Sequence, residues 1–170
     1  MNIPYLPRVE KDPNFFDKPT IILLILLAVS LFFGVKSCRA DITPPDNFWQ
    51  GLVAEDTSGD YQTYLVIASV VRNRLLAGMT PGLVALNKKN LEHFVWREVK
   101  WASWHDIDLV GATNSAINEV FEEGKDYAFG ATHYEHTGVY STPKWAKKMK
   151  LVKVLNPGTK REISLWRKSA

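Results

Sequence analysis

The sequence has almost no cysteine and only one long apolar run. Cys38 is the single cysteine among 170 residues, which excludes a disulfide scaffold and any cysteine-rich zinc site. Apolar residues make up 46% of the chain and charged residues 23%, close to the averages of folded proteins. This balance excludes wholesale disorder, and the length fits one domain of ordinary size.

Charge is unevenly distributed along the chain. Residues 41–143 hold seven basic and 14 acidic side chains, whereas residues 144–170 hold nine basic and one acidic. We therefore expect an acidic body followed by a basic C-terminal tail. Such a tail suits anionic wall polymers or lipid headgroups, and no nucleic-acid partner is expected.

The apolar run Ile21–Val35, IILLILLAVSLFFGV, carries no charge. Fifteen helical residues span about 22 Å, but flanking residues lengthen the segment, and we predict a transmembrane or signal-anchor helix over 20–36. It would follow an N-terminal segment, 1–19. A cleaved signal peptide and a buried core helix are the alternatives. The prediction implies an extracytoplasmic domain, secreted if cleavage occurs, and virion association is another option.

The rest of the chain predicts a mainly α domain of the α+β class. A linker over 37–46 ends in Pro44-Pro45 and is followed by the domain, 47–170, whose first helix Asp46 or Asn47 can cap. Apolar periodicity predicts helices over about 60–76 and 109–123, each followed by a glycine. We expect residues 83–108 to be irregular, residues 125 to about 140 to form short strands or loops, and the basic tail to close the chain.

An acidic cluster, Glu55, Asp56 and Asp60, lies where the first helix should end. A carboxyl group in crowded, half-buried surroundings can keep its proton near neutral pH, as a general acid requires. Glycoside cleavage needs such an acid to protonate the leaving oxygen. Taken alone, three acids at a helix end are more often a solvated loop.

A second cluster of polar side chains lies between Gly130 and His136. It contains a hydroxyl, two imidazoles, a phenol and a carboxylate. His133, Glu135 and His136 suggest metal binding, but their spacing matches neither common helical zinc pattern. We therefore expect no metal and no organic cofactor. Lining a sugar-binding groove is the favoured role, and a surface hairpin is the alternative.

Three tryptophans, Trp96, Trp101 and Trp104, lie close together beside His93 and Phe94. We expect most of these rings to pack in the core. One or two of them could instead stack on the apolar face of a sugar.

Two blocks of sequence together resemble the SleB-type cell-wall hydrolases, which have a small lysozyme-like or transglycosylase-like fold. The first block is Ala54-Glu55-Asp56, Gly59-Asp60 and, at the end of the next helix, Asn73-Arg74. The second is Gly130-Ala131-Thr132-His133-Tyr134, followed by Pro143-Lys144-Trp145-Ala146. Order and spacing agree from Leu52 to Ala146. The last stretch departs from the family because it lacks the usual histidine.

The resemblance implies cleavage of the β-1,4 bond between N-acetylmuramic acid and N-acetylglucosamine in peptidoglycan, by a lytic transglycosylase or a muramidase. Glu55 would be the general acid. Asp60 would support it by holding the loop or polarising Glu55, and Asn73 and Arg74 would brace the helix. Thr132, His133 and Tyr134 would line the groove opposite Glu55 and, with Trp145, would bind substrate.

Two other functions remain open at the level of sequence. One is a non-catalytic, membrane-anchored protein that binds the wall through its basic tail. The other is a metal-dependent wall amidase or peptidase that uses His133 and His136. If the protein is a glycosidase, we expect it to act in wall remodelling or in phage entry and lysis, with the peptidoglycan glycan strand as its partner.

Overall fold

A computed structural model describes residues 42–169 of the chain. The predicted anchor over 20–36, the segment before it and most of the linker lie outside these residues, so they remain predictions. Within the described residues, no helix has the length and apolar character needed to cross a membrane.

The fold combines helices and one small sheet, as the α+β prediction requires. Four α-helices precede the sheet: α1 Phe48–Glu55, α2 Tyr61–Leu76, α3 Leu91–Ser103 and α4 Leu109–Ile117, which continues as a π-helical turn over Asn118–Glu122. Short 3₁₀ turns lie at Val84–Asn87 and Lys144–Lys148, and the strands are β1 His133–Glu135, β2 Met149–Leu155 and β3 Ile163–Lys168.

The central helix, α2, is buried along most of its length. Tyr64, Ile67 and Ala68 are fully buried and pack against Leu52 of α1 and Val120 of the π turn. A helix that is apolar on nearly every side belongs inside the fold, where the hydrophobic effect stabilises it. The prediction of a helix over 60–76 is confirmed, and Gly78 follows it with a left-handed φ of 68°.

The sheet has strand order β1-β3-β2 and is antiparallel throughout. Buried side chains of β3, among them Leu165, pack on Val66 and Val70 of α2. The C-terminal residues are therefore part of the fold and not an appended tail. All nine basic side chains after residue 143 nevertheless remain exposed on these elements.

The sequence predicted that residues 83–108 are irregular, and this prediction is wrong because they contain α3. The buried positions of this helix are Val95 and Ala102. Trp96 and Trp101 lie elsewhere on its circumference, and Trp104 follows as the C-cap. Trp96, Trp101 and Trp104 are 51%, 48% and 69% exposed, so the expectation that they pack in the core is wrong. The buried stripe of α3 consists of the smaller residues Val95 and Ala102, so its aromatic content did not indicate which positions are buried.

The N-terminus of α1 also differs from expectation. Asn47 is the capping residue, but its φ of 56° is left-handed and its side chain makes no capping hydrogen bond. The backbone carbonyl of Asn47 instead accepts hydrogen bonds from Gln50 and Gly51. The side-chain capping that the sequence suggested is therefore absent at this helix.

A carboxylate at the π turn ties α2 to the chain that follows α4. Glu119 accepts hydrogen bonds from the hydroxyl of Tyr61 at 2.6 Å, from the ammonium of Lys125 at 2.8 Å and from the hydroxyl of Tyr127. These donors, Lys125 foremost, lower the pKa of Glu119 to about 2. Glu119 is the second residue of this π turn, so the turn carries the side chain that contacts Tyr61 of α2.

Because the folded protein lowers this pKa below the usual value, the carboxylate stabilises the fold above about pH 4.5. That contribution is lost as the pH falls towards 2. We expect wild type to be more stable than Glu119→Gln at pH 7, and the difference to shrink as the pH falls through this window. Urea unfolding followed by tryptophan fluorescence measures the difference, and Glu122→Gln, an exposed neighbour, is the control. A difference that is constant between pH 7 and pH 2.5 would contradict the assignment.

Candidate active-site groove

Glu55 is the last residue of α1, and its side chain is half-buried. One carboxylate oxygen, Oε1, accepts a hydrogen bond from the backbone N–H of Ala85 at 3.3 Å. The ammonium of Lys88 donates to the carbonyl of Ala54 at 3.3 Å. The end of α1 and its carboxylate are thus held from the side of the 3₁₀ turn Val84–Asn87.

The loop after Glu55 is held by side chains of α2. The hydroxyl of the buried Tyr64 donates to the carbonyl of Asp56 at 2.7 Å. Asp60 caps α2, because its carboxylate accepts from the N–H of Gln62 at 3.2 Å and from the hydroxyl of Thr63 at 2.8 Å. These contacts fix the end of the loop at the start of α2, and the supporting role expected of Asp60 in catalysis stays a prediction.

The opposite wall of the groove is β1 and the residue before it. Thr132 donates its N–H to the carbonyl of Trp166 in β3 at 2.9 Å, and this bond sets the position of the strand. Trp145 follows on a 3₁₀ turn. Its ring lies 5.3 Å from those of both His133 and Trp166, and it is 39% exposed.

Asn73 and Arg74, at the end of α2, hold this wall to the helices. The amide nitrogen of Asn73 donates to Asp126 and to the carbonyl of Ala131, both at 3.1 Å. The guanidinium of Arg74 donates to the carbonyl of Thr132 at 3.0 Å and to that of Thr80 at 2.9 Å. Gly82, with a left-handed φ of 74°, leaves the space that this guanidinium occupies.

His133 is held as a neutral imidazole. Its Nε2 lies 3.3 Å from a nitrogen of Arg74, which can only donate, so Nε2 accepts and Nδ1 carries the proton. Nδ1 lies 3.0 Å from the hydroxyl of Thr132, which can accept it. Burial, then the positive charges of Arg74 and Lys168, lower the pKa of His133.

Tyr134 presents a phenol that keeps its proton. Burial first, then the negative charge of Glu55, raise the pKa of Tyr134 well above its usual value. A protonated phenol can donate a hydrogen bond to a neighbouring carboxylate. Tyr134 is therefore the groove residue that is electrostatically coupled to Glu55.

The groove between the two walls has a volume of about 490 Å³. It brings together residues that are far apart in sequence and that the resemblance names: Glu55, Arg74, Thr132, His133, Tyr134 and Trp145. Asp60 and Asn73 support the walls from outside the lining. Tyr140 and Lys88 also line the groove. They were not predicted as site residues, because neither belongs to a sequence motif.

Metal coordination finds no support in the arrangement of the described residues. Within residues 42–169, no three side chains of the His, Cys, Asp and Glu types converge as metal ligands. Of the three residues considered as ligands, His133 instead bonds Arg74, while the carboxylate of Glu135 accepts from the N–H of His136 at 3.2 Å.

Comparison with known proteins adds no relative to this description. No protein-family model, no curated protein and no solved structure matches the chain.

Loss of the Arg74 guanidinium should loosen the sheet-side wall. We expect Arg74→Gln to lower the free energy of unfolding by about 2 kcal/mol, because two carbonyls lose a charged donor. Urea unfolding measures the change. Arg97→Gln is the matched control: Arg97 is exposed, pairs with its half-buried neighbour Glu98 and lies over the ring of Phe94, and its loss should cost less than about 1 kcal/mol. Equal losses in the two variants would contradict the bracing role.

Proposed function

We propose that this protein is a peptidoglycan glycosidase with a lysozyme-like catalytic domain. It cleaves the β-1,4 bond between N-acetylmuramic acid and N-acetylglucosamine, and Glu55 is its general acid. The reaction takes place outside the cytoplasm, where the predicted anchor over 20–36 would hold the domain at the membrane. No metal or organic cofactor takes part.

One observation carries the proposal. Glu55 lies in an open groove of about 490 Å³, facing Thr132, His133 and Tyr134, which come from a block some 75 residues away in the sequence. The resemblance to cell-wall hydrolases predicts that these two blocks of sequence line the same groove. A carboxylate in a solvated loop with no groove beside it would have supported the simpler alternative.

The geometry suits proton transfer to a sugar oxygen. The half-buried Glu55 would give its proton to the glycosidic oxygen as the bond to the muramic C1 breaks, leaving positive charge on the sugar ring. Its carboxylate would then take a proton back. If that proton comes from the 6-hydroxyl of the muramic residue, the 6-oxygen closes on C1 and gives a 1,6-anhydro sugar; if it comes from water, the product is a reducing end.

Tyr134 is positioned to assist this exchange. Its phenol remains protonated, so it can donate a hydrogen bond to Glu55 as the carboxylate becomes negative. Trp145 offers an exposed ring face in the same groove, on which the apolar face of a sugar can stack. Burial first, then the charged guanidinium of Arg74, lower the pKa of His133, so that the imidazole would take part as a neutral hydrogen-bonding group.

The test is the release of soluble fragments from purified bacterial cell walls by the full chain. We expect wild type to clear the walls and Glu55→Gln to lower the rate at least 100-fold, because an amide has no acidic proton to give. Mass spectrometry of the fragments identifies the bond, and an anhydro end is lighter than a reducing end by one water.

Glu92→Gln is the matched control, since this exposed glutamate lies on α3 and does not line the groove. It should clear walls at the wild-type rate. Clearing by Glu55→Gln at the same rate would contradict the proposal. Binding to walls without release of any fragment by wild type would favour the non-catalytic alternative instead.

A further inference from the structure

A second cavity lies beside the groove and shares its acid. It has a volume of about 250 Å³, and Glu55, His136 and Tyr140 line both spaces. Lys160 and Arg161, from the turn between β2 and β3, also line this cavity. A ligand that reaches from the groove into this cavity therefore lies beside Glu55 and can contact two cations.

The turn that carries these cations is held firmly. The carboxylate of Glu162 accepts hydrogen bonds from the hydroxyl of Thr137 at 2.7 Å and from the N–H of Gly158 at 2.8 Å. These bonds lower the pKa of Glu162. Gly138 donates to the carbonyl of Glu162 at 3.2 Å, and any side chain at Gly138 would collide with the turn.

Neither cation is neutralised within the part of the chain that the structure describes. Lys160 and Arg161 are exposed, and neither forms an ion pair there. Two carboxylates line the same cavity and have other partners: Asp56 accepts two hydrogen bonds from Ser58, at 2.8 and 3.0 Å, and Glu55 accepts one from the N–H of Ala85 at 3.3 Å. The charges of Lys160 and Arg161 are thus available to an anion.

Resting on the proposed function, we infer that Lys160 and Arg161 bind the free carboxylates of the peptide attached to the muramic acid at the scissile bond. The amino sugars of the glycan are themselves uncharged, so the anions nearest that bond belong to this peptide. An arginine and a lysine in a preset turn match such carboxylates. The substrate class is then peptide-bearing glycan, in preference to uncharged polymers of the same sugars.

The experiment compares two preparations of the same purified walls. In one the peptide carboxylates are free; in the other they are converted to carboxamides with a carbodiimide and excess ammonia. The full chain is assayed as wild type and as Lys160→Gln/Arg161→Gln. The control is Lys150→Gln/Arg167→Gln, which removes one lysine and one arginine that lie opposite each other on β2 and β3 and line neither cavity.

We expect Lys160→Gln/Arg161→Gln to lose about fivefold in kcat/KM on free-carboxylate walls, chiefly through KM, and less than about twofold on amidated walls. The control variant should lose less than about twofold in kcat/KM on both kinds of wall. Wild type should lose more activity in 0.5 M salt on free-carboxylate walls than on amidated walls, because salt screens exposed charges. This measurement uses only the wild-type protein, so it does not depend on whether a variant folds.

Equal losses on the two kinds of wall, or an equal loss in the control, would overturn the inference and leave the glycosidase assignment standing. A wild-type protein that cleaves neither kind of wall would overturn the proposed function, and this inference with it.

Discussion

The hydrogen bond from the guanidinium of Arg74 to the carbonyl of Thr132 joins the two halves of the domain at the groove. Arg74 is near the end of the buried helix α2, and Thr132 immediately precedes the first strand of the sheet. Together with Asn73, this charged side chain holds the sheet wall at the end of α2. Its charge also adds to burial in lowering the pKa of His133, so the same contact affects both the shape and the electrostatics of the site.

Around that contact, each wall is held by groups that are themselves buried or paired. The phenol of Tyr64 holds the chain just after Glu55, and Asp60 caps the helix that follows. Preorganisation of this kind lets a catalytic carboxyl keep one position while the substrate changes. The coupling of Glu55 to the protonated phenol of Tyr134 is then the feature that turns a groove into a candidate for acid catalysis.

Apolar periodicity predicted the helices whose apolar residues recur regularly. The resemblance to cell-wall hydrolases predicted that Thr132, His133 and Tyr134 line a groove opposite Glu55. Periodicity failed for α3, because its many aromatic residues were expected in the core and obscured a narrow apolar stripe. The hairpin of β2 and β3 was also missed: a high density of lysine hid the alternation that marks a half-buried strand. Tyr140, Lys160 and Arg161 reach the site only through tertiary contacts, which no local pattern reports.

If Glu55 is the general acid, the side chain at position 55 faces the oxygen between two amino sugars. A crystal structure of Glu55→Gln soaked with a tetrasaccharide of alternating N-acetylglucosamine and N-acetylmuramic acid tests this directly. We expect a glycosidic oxygen about 3 Å from the side-chain amide of residue 55, with Tyr134 on the same side. A sugar bound on the exposed tryptophans of α3, with the groove empty, would contradict it.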